Sequence, residues 1–219
     1  YRQVRIGCLY FILLAGALWN ILQMFQQTMR ILSAPVIIGL GVWLFFEYFY
    51  QLKEQDRLKF TLWGAGVVLF GILAEFVGVK TGWLFGNYQY GDVLKPQIFG
   101  VPVAIGFAWL GMLISSVAFT QRLVEPSSGS KLVIALILVG LLMVSIDVFM
   151  EPVAIKLNYW YWTEGIVPFT NYLTWFVIGM LFAYTGFRYK VLSGKIPSIA
   201  MHAYVAQLLY FILTNLAVI

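Results

Sequence analysis

Apolar residues in this chain gather into seven long runs, at 6–25, 31–52, 60–79, 101–120, 132–151, 169–187 and 197–219, with polar punctuation between them. A hydrocarbon core roughly 30 Å thick takes about 20 helical residues to cross. The pattern therefore predicts an all-α, polytopic membrane helical bundle of about seven transmembrane helices. Four runs hold no charged residue. The exceptions hold Glu47, Glu75 and the pair Asp147 and Glu151, and the last run holds His202, whose charge is optional.

Composition agrees with that reading. The chain is 62% hydrophobic and 11% charged, against about half and a quarter in soluble domains. No polar segment is long enough to form a soluble domain, so residues 1–219 read as a single integral membrane domain. The first run lacks a small-residue cleavage site and reads as a retained span. The one cysteine, Cys8, rules out an internal disulfide and makes a thiolate metal cluster implausible. No metal and no cofactor is expected.

Lysine and arginine set the expected orientation. Ten of the fourteen fall on the side of the N-terminus and four (Arg30, Lys80, Lys95 and Lys156) on the other. This bias places the N-terminus in the cytoplasm, and it accounts for the net charge of +5 without a nucleic-acid partner. The expected location is a bacterial or archaeal cytoplasmic membrane, as a multi-pass protein.

The carboxylates carry the chemistry. Glu75 and Asp147 each lie fifteen residues into a run that rises from the cytoplasmic side, about 22 Å up at 1.5 Å per residue. Glu151 follows Asp147 by four residues and shares its helix face one turn further out. An ionisable side chain within a span is a functional-site hypothesis by default, although Glu75 paired structurally with Lys80 and Glu151 at the interface are plainer readings. Glu47, near the cytoplasmic end of its span, reads as an interfacial residue and His202 as a satisfied structural one.

The two acid-bearing runs are followed by similar loops. Tyr88 and Tyr90 come thirteen and fifteen residues after Glu75; Trp160 and Trp162 come thirteen and fifteen after Asp147. Each loop then reaches a Val-Pro, at Pro102 and Pro168, with Trp109 and Trp175 seven residues beyond. An approximate internal repeat follows, relating two helix pairs by an axis along the membrane normal. The prolines suit the first turns of the returning helices. Asn171, just inside the sixth run, is placed to bond a carboxyl or a water, or to satisfy helix-start N–H groups.

Adjacent carboxyls in an apolar site retain a proton more readily than in water and can serve as general acids. The faces of Tyr88, Tyr90, Trp109, Trp160, Trp162 and Trp175 can stabilise a developing cation. Together they suit protonation of an electron-rich alkene, and equally the binding of a long polyene without reaction.

The stretches EFVGVKTGWLFGNYQYGDVLKPQIFGVPVAIGFAW, DVFMEPVAIKLNYWYW and VPFTNYLTW resemble the carotenoid biosynthesis membrane proteins of the CruF type, the carotenoid 1,2-hydratases. The resemblance covers about half the chain and falls on Glu75, Thr81, Gly82, Phe85, Gly86, Tyr88, Tyr90, Pro102, Trp109, Asp147, Pro152, Trp160, Trp162, Pro168, Asn171 and Trp175. One departure is Glu151, where the family pattern has an aspartate. The second loop is also abbreviated before Pro168.

The resemblance implies hydration of the terminal C1–C2 double bond of an acyclic carotenoid end, in lycopene or γ-carotene for example. No cofactor is required, and other carotenoid-pathway enzymes are candidate partners. Glu75 and Asp147 would form the acid–base pair, with Glu151 tuning or relaying protons. Two alternatives stay open: a membrane lycopene cyclase, and a non-catalytic carotenoid-binding or transport protein. A retinal protein is disfavoured, because the last run contains no lysine for a Schiff base.

Overall fold

In a computed structural model described over residues 2–126 and 128–216, the chain forms seven α-helices and four short β-strands. The helices are α1 (Arg2–Ile21), α2 (Gln26–Phe49), α3 (Glu54–Thr81), α4 (Val103–Leu123), α5 (Gly129–Lys156), α6 (Phe169–Arg188) and α7 (Ser198–Leu216). The strands are β1 (Tyr88–Tyr90), β2 (Gln97–Ile98), β3 (Val101–Pro102) and β4 (Trp160–Trp162). All seven expected spans correspond to a helix, and the fold is a polytopic membrane bundle. Six helices are long and apolar enough to cross a membrane; α6 is the one that falls short. The end of the last expected span lies outside the described residues.

Helix boundaries depart from the apolar runs for local reasons. The helix α3 begins six residues before its run, with Glu54 and Asp56 in its first turn, where negative charge meets the positive end of the helix dipole. It ends at Gly82, whose φ of 66° is the left-handed geometry that glycine adopts without strain. The fourth run was expected to be helical from Val101, but Val101 and Pro102 form β3 against Gln97 and Ile98. Pro102 and Pro168 are N-caps, in extended conformation, and their helices start one residue later.

The helix α4 is the buried axis of the bundle: most of its residues are buried, from Ala104 through Thr120. Small residues let backbones approach it. A Cβ on Gly41 of α2 would lie 2.6 Å from the carbonyl oxygen of Phe107, and one on Gly106 of α4 would lie 2.7 Å from that of Val68. Such close packing is how helices associate in lipid, where burial of apolar surface supplies little drive. The helices α1 and α7 run parallel, bonded at their starts by Arg2 and Ser198 and near their far ends by Asn20 and Tyr210.

The β1 and β4 strands pair antiparallel, with Tyr88 opposite Trp162, Gln89 opposite Tyr161 and Tyr90 opposite Trp160. Counted from the two acids, position thirteen of each copy opposes position fifteen of the other. The flanking bonds obey the same rule: Gly91 N–H donates to Tyr159 O at 2.8 Å, and Thr163 N–H donates to Asn87 O at 2.9 Å. Trp109 and Trp175, equivalent in the two copies, stack face to face with centroids 3.8 Å apart. A local twofold relating the two loops satisfies all of these contacts.

Replacing Gly41 with alanine should lower the stability of the detergent-solubilised protein by about 1–3 kcal/mol, because the contact is with backbone. Gly39→Ala, two residues away with no atom within 4 Å of the added Cβ, should be neutral or slightly stabilising. Thermal unfolding monitored by circular dichroism separates the two.

Candidate active site

The paired strands lie over the ends of α3 and α5 that carry the acids. Counting back from the helix ends, Glu75 precedes Thr81 by six residues, while Asp147 and Glu151 precede Lys156 by nine and five. Glu75 therefore sits between the levels of the other two. The equal depth of Glu75 and Asp147 inferred from the starts of the apolar runs is changed, because α3 begins further outside its run than α5 does.

All three carboxyls are buried, and Asp147 completely. Carboxylates within a membrane bundle cost about 2.5–3.5 kcal/mol each on insertion scales, so their partners matter. Glu75 Oε2 accepts from Tyr88 Oη at 2.5 Å and from Tyr90 Oη at 2.7 Å, and its Oε1 accepts from Trp109 Nε1 at 3.1 Å. Its partners are aromatic donors, not Lys80. Glu151 Oε2 accepts from the indole N–H groups of Trp160 and Trp162, both at 2.9 Å. Asn171 Nδ2 donates to Asp147 Oδ2 at 2.7 Å and lies 3.4 Å from Glu151 Oε1, linking those two acids. Among the described residues Asp147 Oδ1 has no hydrogen-bond partner.

Each strand explains part of this arrangement. Alternation along β1 sends Tyr88 and Tyr90 to the same side, where both reach Glu75. The same alternation in β4 sends Trp160 and Trp162 to Glu151. Burial and the neighbouring Glu75 carboxyl push the Tyr88 and Tyr90 hydroxyls above their usual range, so both remain protonated donors. On α6, Thr170 and Thr174 donate to the carbonyls of Phe85 and Leu84. These bonds hold the helix that carries Asn171 against the first loop.

A cavity of about 240 Å³ reaches Glu75, Asp147, Glu151 and Asn171, together with Tyr88, Tyr90, Trp160, Trp162 and Trp175. Trp109 lies behind it, fully buried between Glu75 and Trp175. Every residue expected at the site is thus assembled around one space. The opposite wall was not anticipated: Leu13, Gly16 and Trp19 of α1, Ser33 and Leu40 of α2, and Tyr210 of α7. The only sequence signal for that wall is sparse polarity inside spans. Asn20 bonds Tyr210 at 3.0 Å, and Ser33 accepts from Tyr159 at 2.7 Å.

Glu47 and His202 lie apart from this cavity. Glu47 bonds Arg5 at 2.5 Å and Trp43 Nε1 at 2.9 Å. His202 Nδ1 lies 3.3 Å from Tyr10 Oη. No group of three or more His, Cys, Asp or Glu side chains among the described residues is arranged to hold a metal ion.

The site's co-linear motifs fall inside a family match that runs over residues 11–219, to the model described as carotenoid biosynthesis protein. The chain belongs to the carotenoid biosynthesis protein family. Its membrane bundle, with buried acids under an aromatic lid, is therefore the architecture of a carotenoid-pathway membrane protein. Among curated proteins it is similar to the bisanhydrobacterioruberin hydratase of Haloarcula japonica, at 26% identity over 117 residues. That match takes in 52% of this chain and 40% of the relative, so the chain spans less than half the length of the protein it resembles. No solved structure matches.

Asn171→Leu removes the amide that links Asp147 and Glu151 and should cost about 1–3 kcal/mol of stability, the penalty for stranding buried polar groups. Tyr161→Phe removes only an exposed bond to Gln89 and should cost well under that. Unfolding of both variants in detergent compares them; equal stability would contradict the linking role.

Proposed function

We propose that this protein is a carotenoid 1,2-hydratase, adding water across the terminal C1–C2 double bond of an acyclic carotenoid end group. The observation that carries the reading is a difference among three carboxyls in one aromatic cavity. Both oxygens of Glu75 and of Glu151 meet N–H or O–H donors, whereas Asp147 Oδ1 meets none among the described residues. A carboxylate is acceptor-only, while a protonated carboxyl carries one O–H. Asp147 is the group with an oxygen free to hold a proton for a substrate.

Asp147 transfers its Oδ1 proton to C2, and the alkene π electrons form the new C–H bond. The positive charge develops at C1, a tertiary centre, against the faces of Trp162 and Trp175. Water then forms the C1–O bond, and its surplus proton passes to the Glu75 carboxylate. Glu151 returns a proton to Asp147 and takes up the one that Glu75 received, so water is the sole co-reactant and all three acids regain their starting states. Three buried acids titrate together, and the cycle redistributes protons within that set.

Family membership supports a carotenoid as substrate, and the hydratase named among the relatives supports water as nucleophile. With the N-terminus in the cytoplasm, the acids lie between the midplane and the outer face of the cytoplasmic membrane. The bilayer holds the polyene there, and other pathway enzymes supply it.

Expression in a bacterial host that accumulates lycopene or γ-carotene tests the reading. The expected product is a more polar pigment, heavier by one water, with its polyene absorption unchanged. An isomer with a shortened chromophore would instead establish a cyclase, and unchanged pigment bound to the protein would indicate a carrier. Asp147→Asn and Glu75→Gln should each reduce turnover at least a hundredfold, in keeping with loss of general acid or base catalysis. Full activity in either variant removes that residue from the scheme.

A further inference from the structure

The cavity is not closed on all sides. Of the residues that line it, Ile12, Leu32 and Val36 are exposed on the outside of the bundle, at 49%, 42% and 39%. The rest are buried or half-buried. The three exposed residues come from α1 and α2 alone, so the cavity opens through one gap, between these two helices.

The gap lies at a defined depth. Ile12 is nine residues from the end of α1, and Val36 is ten residues from the start of α2. At 1.5 Å per residue both stand about 14–15 Å below the turn that joins the helices, near the middle of a 30 Å slab. Asp147 is nine residues from the end of α5, at a matching level. The opening therefore faces hydrocarbon, not headgroups, and its rim is wholly aliphatic.

The size of the cavity says what occupies the gap. Pockets that enclose a whole drug-sized ligand run to roughly 300–1,000 Å³, and this one holds about 240 Å³. A carotenoid is longer than any such ligand, so only its terminus fits beside the acids. Behind the rim the cavity is lined by Gly16 of α1 and Gly41 of α2.

We propose that the α1–α2 gap is a lateral portal, through which a polyene enters end-first from the membrane interior and in which its remaining chain lies during reaction. This rests on the hydratase reading for what happens at the inserted end. It adds that recognition is end-on: the far end of the substrate stays in lipid, so carotenoids that differ only there are accepted alike.

Tryptophan at the rim tests this. Ile12→Trp and Val36→Trp place bulk in the gap at lipid-facing positions, and Leu69→Trp, on α3 at an equally lipid-facing site 67% exposed, is the control. Each protein, expressed in the lycopene-accumulating host, is scored for polar product formed and for pigment retained on purification. The portal predicts that both rim variants lose at least tenfold in each readout while the control matches wild type. Rim variants that retain pigment and convert it normally would overturn the proposal, as would a control that falls equally. If wild type retains lycopene without hydrating it and the rim variants lose it, the hydratase reading fails and the portal stands. Wild-type protein that neither retains nor converts lycopene overturns both.

Discussion

Three carboxyls inside a membrane bundle are the constraint around which this structure is organised. Among the described residues none has a cationic partner, and the donors that satisfy them are indole N–H and phenol O–H groups on the loops outside the helices, joined by Trp109 of α4 and the amide of Asn171 on α6. Tyr88 and Tyr90 serve Glu75, and Trp160 and Trp162 serve Glu151. Because these donors alternate along two short strands, pairing of the strands fixes both sets at once. The strand pair is thus a lid whose underside supplies the polar contacts that lipid cannot. Prolines at the helix starts and glycine turns give the loops the geometry to fold back over the acids.

The near-symmetry of the two halves is broken beside the second acid. Counting from the acids and prolines, the counterpart of Glu151 in the first copy is Val79, and that of Asn171 is Ile105. The second copy therefore adds an acid and an amide where the first has aliphatic residues. As a result the tryptophans of the second loop bind Glu151, not Asp147. Asp147, the counterpart of Glu75, is left with an amide on one oxygen and, among the described residues, no partner on the other. The two aromatic cradles thus hold Glu75 and Glu151, and Asp147, outside both, is the acid with an oxygen to spare.

Much of this was legible in the sequence because the signals were local or strictly spaced. Apolar runs marked the helices, intramembrane acids stood out by their cost, and the thirteen-and-fifteen spacing marked the two loops as copies, although not that their strands would pair. The second cradle was less legible: spacing pairs Trp160 and Trp162 with Asp147, but α5 continues to Lys156 and brings Glu151 under them instead. The levels of the acids were misjudged because α3 extends six residues into polar sequence that hydropathy assigns to a loop. The wall from α1, α2 and α7 was barely legible, since aliphatic residues lining a cavity look like those facing lipid. Only the folded bundle separates Leu13, inside, from Ile12, at the rim.

In the proposed reaction buried acids deliver a solvent proton to one carbon of a polyene end and water to the next. Purified protein given lycopene in deuterium oxide enriched in heavy oxygen tests it directly, with mass spectrometry of the product. The account predicts one non-exchangeable deuterium at C2 and one heavy oxygen at C1, both lost in Asp147→Asn. A product that carries the deuterium without the heavy oxygen would show protonation followed by some other capture. A labelled product formed equally well by Asp147→Asn would contradict the assignment of the proton to that residue.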